Sequence, residues 1–260
     1  MPQGHYGIMR AEPISKDSPV RATTYPSFSE TPARPSYLAG LALLVVALAI
    51  CFAGGMAVGY QDGVMPRPQE VTLQMIQQGV PYSAYGLLAL FVLQHLRGSI
   101  LKALIGEKVL GPLFNGLASL ALAFAACYAL MLEQGSQPEP YLATLFDGMS
   151  HEQVQQLCLR LVLFGAIAEE LLVRHFFMRI CGWHDGGYWK WSAIFTGMAA
   201  SMVLMLQHPF VNDSSLLLMG LVYGIIGIAR VNSRGMLVPI VLHAAAMGAV
   251  LVVMHPQLVQ

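Results

Sequence analysis

Residues Ala166 to Ile180 read A-I-A-E-E-L-L-V-R-H-F-F-M-R-I. Two adjacent carboxylates, Glu169 and Glu170, stand with Arg174 inside an apolar run that extends from about Leu157 to Ile180. A run of that length crosses a bilayer, which takes roughly 20 residues of helix. A charge at bilayer depth costs on the order of 3 kcal/mol or more, so such residues are rare and mark function or a deliberate ion pair. The rest of the chain reads as housing for this cluster.

The composition sets the class. Of the 260 residues, 56% are hydrophobic and only 11% charged, against about 25% charged in an ordinary soluble domain. Mean hydropathy is +0.59. Fourteen basic residues balance fourteen acidic ones, and no basic patch points to a nucleic-acid partner. Cys51, Cys127, Cys158 and Cys181 lie in or beside apolar runs without a C-x-x-C spacing. They read as small packing residues, not as disulfides or metal ligands.

Residues 1–36 are polar, rich in Pro, Ser, Thr and Arg, and lack hydrophobic periodicity. Such a segment buries too little apolar area to order itself, and it reads as a disordered cytosolic tail. Seven apolar segments follow, at about 37–60, 83–96, 109–132, 157–180, 189–208, 214–229 and 236–254. The second and sixth are short for a full crossing. The tract Gln69–Tyr82 is expected as a separate surface helix.

Lys and Arg alternate between the connections, as they do where cytoplasmic loops collect positive charge. Arg10, Lys16, Arg21 and Arg34 precede the first segment; Arg97, Lys102 and Lys108 follow the second; Arg179 and Lys190 follow the fourth; Arg230 and Arg234 follow the sixth. The loop from Glu133 to Gln156 has none. The expected fold is therefore all-α, a polytopic transmembrane bundle of about seven spans with a cytosolic N-terminus. Residues 37–156 supply N-terminal helices and loops, and residues 157–254 supply the core that carries the chemistry. Gly55 with Gly59, and Gly220 with Gly224, are small residues one turn apart that let helices approach closely.

On an α-helix Glu170 and Arg174 are i and i+4 and share a face, whereas Glu169 is turned by about 100°. One carboxylate is then neutralised and the other is available. A carboxylate in an apolar site suits general acid–base work near neutral pH. Two histidines lie in later segments, His208 in L-M-L-Q-H and His243 in V-L-H-A-A-A-M. Glu169, His208 and His243 are able together to hold and activate one water. Read from these residues alone, the cluster is equally an active site or an ion network bracing the bundle. With His208 near the outer end of its helix and Glu169 near mid-span, the first requires that helix to extend through Val211 or sit deeper.

The motif E-E-x-x-x-R, here Glu169-Glu170-Leu171-Leu172-Val173-Arg174, resembles the first signature of the CPBP (CaaX protease and bacteriocin-processing, or Abi) family, which includes the Ras-converting CaaX endopeptidase. Leu204 to His208 is similar to its F-x-x-x-H motif with Leu for Phe. His243 supplies the histidine of its H-x-x-x-N motif, with Met247 where the Asn belongs. The resemblance implies an intramembrane endopeptidase acting on a membrane-associated or lipid-modified peptide. Glu169 would be the base that activates water, positioned by Glu170 and Arg174. His208 would help bind the water or the intermediate, and His243 would stabilise the oxyanion. Met247 donates no hydrogen bond.

A metal-free glutamate mechanism is expected, since His151-Glu152 lacks the second His of H-E-x-x-H. Zinc on Glu169, His208 and His243 is the minority alternative. The expected partners are the lipid bilayer and a membrane-bound peptide or protein substrate, and the expected location is a multi-pass bacterial inner membrane. Two other classes are open: a non-catalytic scaffold or bacteriocin-type immunity protein, and a Glu/His proton-coupled transporter, against which no repeated halves are visible. His175 reads as a packing residue and Arg160 as snorkelling to the outer boundary. His184 and Asp185 read as loop residues.

Overall fold

A computed structural model describes residues 37–59, 72–133, 146, 148–180, 188–205 and 213–254. The expected tail at 1–36 and the stretch holding His208 lie outside the described residues. So do His184 and Asp185. Residues 36–260 form one compact unit, and the described part is helical throughout, with no strand.

The helices are α1 (Tyr37–Gly59), α2 (Thr72–His95), the short α3 (Ile100–Ile105), α4 (Leu110–Glu133), α5 (running from His151 to Ile180), α6 (Tyr188–Met205), α7 (Asp213–Ser233) and α8 (Leu237–Met254). Each of the seven apolar segments corresponds to one long helix. Three stretches, Leu38–Met56, Thr72–His95 and Ile100–Glu133, are long and apolar enough to cross a membrane by length and composition. Ile194–Val203, Leu217–Ser233 and Leu237–Val252 are shorter apolar helices. Large side chains such as Leu38, Phe52, Leu93, Phe114, Leu122 and Phe195 face outward. So many large apolar side chains on the exterior suit lipid. The chain is a membrane protein.

Two boundaries differ from the sequence reading. The tract Gln69–Tyr82 is not a separate surface helix within its described part: from Thr72 it runs directly into α2. A π-helical turn at Met75–Gly79 makes the join. It precedes Pro81, whose missing N–H leaves the Gln77 carbonyl without an i+4 donor. The Arg160 guanidinium donates to that carbonyl at 3.0 Å, so this arginine has a specific partner besides the boundary. The fourth segment also starts earlier, at His151. Ser150 caps it by accepting from Gln153 N–H at 3.3 Å, while the Gln153 amide oxygen accepts from Ser150 N–H at 3.0 Å. Such a capping box satisfies two orphan donors at once.

α5 lies between two groups of buried side chains. On one side Ala47 of α1 and Leu87 and Phe91 of α2 meet its Leu171 and Phe176. Toward its start, Val154 and Leu157 meet Ile76 of α2 and Leu251 of α8. A third core joins α4, α7 and α8 through Leu120, Cys127, Val222, Ile226 and Leu242. Glycines set the spacing of α6 against α7. A Cβ on Gly220, Gly224 or Gly227 would meet Met202, Met198 or Ile194 respectively, the antiparallel order expected of a small-residue seam. On α1 the closest approach is at Gly54, whose added Cβ would lie 2.6 Å from Ser83 Oγ and 3.0 Å from the Gly79 carbonyl.

The links α3–α4 and α7–α8 clasp each other. The N–H groups of Glu107 and Lys108 reach the Ser233 carbonyl at 2.9 and 3.4 Å, and Met236 N–H donates to Ala103 C=O at 3.3 Å. Arg234, in the left-handed region at φ 58°, donates to Glu107 at 2.7 Å. Gly106, at φ 85° and ψ −167°, occupies a conformation open essentially to glycine alone, and holding another residue there costs about 1–3 kcal/mol. Gly106→Ala is therefore expected to lower the thermal midpoint in detergent. Gly111→Ala, where an added Cβ meets nothing within 4 Å, should leave it unchanged or raise it. Equal behaviour of the two would contradict this account of the clasp.

Candidate active site

The charged cluster sits where α5 departs from regular winding. Glu169 and Glu170 close a five-residue α-helical stretch, Ala166–Glu170, set between π-helical turns at Leu161–Gly165 and Leu171–Phe177. In a π turn the backbone bonds run i to i+5, as from Met178 N–H to Val173 C=O, and such turns recur at functional sites. The wider winding aligns residues five apart, and Glu169 and Arg174 are such a pair.

The two carboxylates accordingly share their partners. Arg174 Nη1 lies 3.4 Å from Glu170 Oε1 and 3.8 Å from Glu169 Oε1. His243 of α8 sits against both: Nδ1 is 2.7 Å from Glu170 Oε1, and Nε2 is 3.6 Å from Glu169 Oε2. The expectation that Glu169 points away from the pair holds only for an ideal α-helix and is corrected here. The expectation that Glu170 pairs with Arg174 matches the 3.4 Å contact.

Glu170 and Arg174 are fully buried, His243 is almost so, and 14% of the Glu169 side chain is exposed. Among the described residues Glu169 Oε1 and Glu170 Oε2 are buried without a hydrogen-bond donor. A charge held this way is costly unless other groups complete its shell. Glu169 is the member of the pair with access from outside.

Two residues that the sequence reading did not single out complete the site. Ser201 of α6, itself fully buried, accepts from Arg174 Nη1 at 2.6 Å. Tyr223 of α7 accepts from Arg174 Nη2 through its carbonyl at 3.3 Å. The guanidinium carbon also lies 5.2 Å from the Tyr223 ring centroid, within cation–π range. That ring meets His243 edge-on at 6.0 Å, with 71° between planes, and its hydroxyl is close enough to feel the Glu169 charge. A lone buried Ser or Tyr in an apolar helix is the only sequence trace of either residue.

Other named residues fall elsewhere. Met247, one turn past His243, faces Gly165, one turn before Glu169: a Cβ built there would lie 3.9 Å from its sulfur. His175 packs away from the cluster, its Nε2 2.7 Å from Gln94 Oε1 and its ring among Phe91, His95 and Phe176. Ser233 spends its hydroxyl within the clasp, donating to Gly235 C=O at 3.1 Å. Among the described residues no three His, Cys, Asp or Glu side chains converge on a metal position. A cation bound by Glu169 or Glu170 would also face the Arg174 guanidinium, and His208 of the zinc alternative lies outside the described residues.

Removing one partner of a buried ion pair costs about 3–5 kcal/mol because the other charge is stranded, whereas a hydrogen bond to a charged group is worth about 1.5–3 kcal/mol. Arg174→Met should therefore reduce the yield of folded protein and its melting temperature more than Ser201→Ala does. Unfolding followed in detergent checks the order.

A sequence model of the Rce1-like family, described as type II CAAX prenyl endopeptidase Rce1-like, matches residues 153–248. Searches of curated proteins and of solved structures returned no match. The matched region begins in the first turn of α5 and ends on α8 just beyond His243 and Met247. It contains every residue of the cluster. Over residues 153–248 the chain is similar to the Rce1-like type II CAAX prenyl endopeptidases, a likeness that supports membership of the CPBP family.

Proposed function

We propose that the protein is an intramembrane endopeptidase that hydrolyses a membrane-associated or lipid-modified peptide with a water activated by Glu169. The observation that carries this reading is the unequal state of the two carboxylates on one imidazole. Glu170 is buried and bound to His243 at 2.7 Å, while Glu169 is partly accessible and stands 3.6 Å from the other ring nitrogen. A separation of 3.6 Å is too long for a direct hydrogen bond, and it lets one water rest against both groups.

The steps follow from these positions. Glu169 takes a proton from the water as its oxygen adds to the peptide carbonyl carbon. The C–N bond then breaks and the proton passes from Glu169 to the leaving nitrogen. Glu170, which as a carboxylate only accepts, fixes the ring by accepting a hydrogen bond from His243 Nδ1–H at 2.7 Å. Arg174 balances the paired carboxylates without touching the reacting atoms. In the doubly protonated form, with Nδ1–H on Glu170, His243 donates from Nε2–H to the oxyanion that forms from the carbonyl. The scheme is written without a metal, because Glu169 itself takes the proton of the water.

His208 belongs to the proposal as a further group on the water or the intermediate. Ser201 turns a face of α6 toward Arg174, and His208 follows seven residues later, about two helical turns in sequence. Seven crossings and a cytosolic N-terminus remain the topology proposed from run length and charge pattern, and a bacterial inner membrane the location proposed from the compactness of the chain and the family resemblance. The lipid-modified substrate is proposed from the description of the matching family.

With full-length protein in liposomes and a peptide ending in a farnesylated C-a-a-X box, Glu169→Gln should abolish cleavage while the protein still inserts and melts normally. His243→Ala and His208→Ala should lower kcat, the second without loss of melting temperature. Undiminished cleavage by Glu169→Gln would show that the base is misassigned. Wild-type protein that does not cut the peptide but moves protons across the liposome would favour transport.

A further inference from the structure

Hydrolysis through a tetrahedral intermediate needs hydrogen-bond donors aimed at the oxyanion, and losing one typically costs 10²–10³ in rate. Around Glu169 the donors are nearly all committed. Arg174 serves Ser201, the Tyr223 carbonyl and both carboxylates. His243 spends Nδ1 on Glu170, leaving one nitrogen for the reacting atoms. Met247, on the same helix and beside the Glu169 segment through Gly165, carries a thioether and donates nothing.

Among the described residues the Tyr223 hydroxyl is a further donor beside the cluster, on a side chain that also meets His243. Its side chain is 3% exposed and lies within the cluster, with the ring on His243 at 6.0 Å and the hydroxyl close enough to feel the Glu169 charge. The placement is fixed twice by Arg174, which binds the Tyr223 carbonyl and overlies its ring. A cation over the ring face draws on its π electrons, which makes the phenolic O–H a stronger donor. The ring stands on α7, so it enters the cluster from a different helix than His243 of α8.

We propose that Tyr223 is a catalytic residue of this chain: its hydroxyl is the second oxyanion donor, beside His243, and takes the place of the amide absent at Met247. This rests on the peptidase reading above. In the resting site the hydroxyl feels the Glu169 charge. When Glu169 takes the water proton it becomes a poorer acceptor, and the O–H turns to the oxyanion growing on the substrate carbonyl. No bond to Tyr223 forms or breaks, so its share of the reaction is electrostatic alone.

The test compares wild type, Tyr223→Phe and Tyr223→Phe/Met247→Asn on the farnesylated C-a-a-X peptide, with Glu169→Gln as the reference for loss of the base. Tyr223→Phe keeps the ring, its contacts with Arg174 and His243, and the backbone carbonyl. The expected result is a fall in kcat of about 10²–10³-fold, with KM and melting temperature unchanged. In the double variant the Asn amide, one turn from His243, should restore part of the lost kcat. Wild-type kcat in Tyr223→Phe would overturn the assignment. So would a loss accompanied by a lower melting temperature and no recovery on Met247→Asn, which marks a structural role. Failure of the peptidase reading is separately visible, as absent cleavage by wild type or full cleavage by Glu169→Gln, and it removes this inference as well.

Discussion

The Arg174 guanidinium holds the interior together by binding groups from three helices at once. Two carboxylates of its own helix, the Ser201 hydroxyl of α6 and the Tyr223 carbonyl of α7 all lie within 3.8 Å of its nitrogens. His243 of α8 joins the set through Glu170. In an apolar core such a cluster is not a gain in stability over well-packed hydrophobic residues. Once present, however, each charge depends on the others, and the relative placement of four helices is fixed by their geometry. The arrangement that stabilises the charges is therefore the same one that sets Glu169 beside His243.

The winding of α5 decides how the carboxylates divide the work. With regular α-helical turns Glu169 would face about 100° away from Glu170. The π turn at Leu171–Phe177 brings both within reach of one guanidinium and one imidazole. Burial then distinguishes them, leaving Glu170 closed off and Glu169 with a side open to a reactant. In the proposed mechanism two chemically identical neighbours take a structural and a reactive role through environment alone, as in other paired carboxylates that run acid–base chemistry.

Much of this was legible in the residues. Apolar run length located every long helix, and the cost of intramembrane charge singled out Glu169, Glu170 and Arg174. His243 stood out because an imidazole is rare in a run such as V-L-H-A-A-A-M. The π turns were not legible, since Leu171–Phe177 has the composition of any buried helix and the change of winding comes from packing on α1, α2 and α6. Ser201 and Tyr223 were missed for a related reason: hydroxyls are common in membrane helices, and only the tertiary fold aims these two at Arg174. The capping box at Ser150 and Gln153 was present in the sequence as S-H-E-Q, but it was masked by the polar first turn of α5, which reads as loop. His208 stands outside the described residues, so its place at the site rests on sequence and proposal.

The central claim, that Glu169 delivers water directly to a peptide carbonyl, is most directly tested by a single turnover in H₂¹⁸O with enzyme in excess over a farnesylated C-a-a-X peptide. Mass spectrometry of both product and protein then locates the label. The account predicts one ¹⁸O in the new product carboxylate and none in the Glu169 side chain. Label in Glu169 would mean that the carboxylate attacks the carbonyl itself, and it would contradict the account.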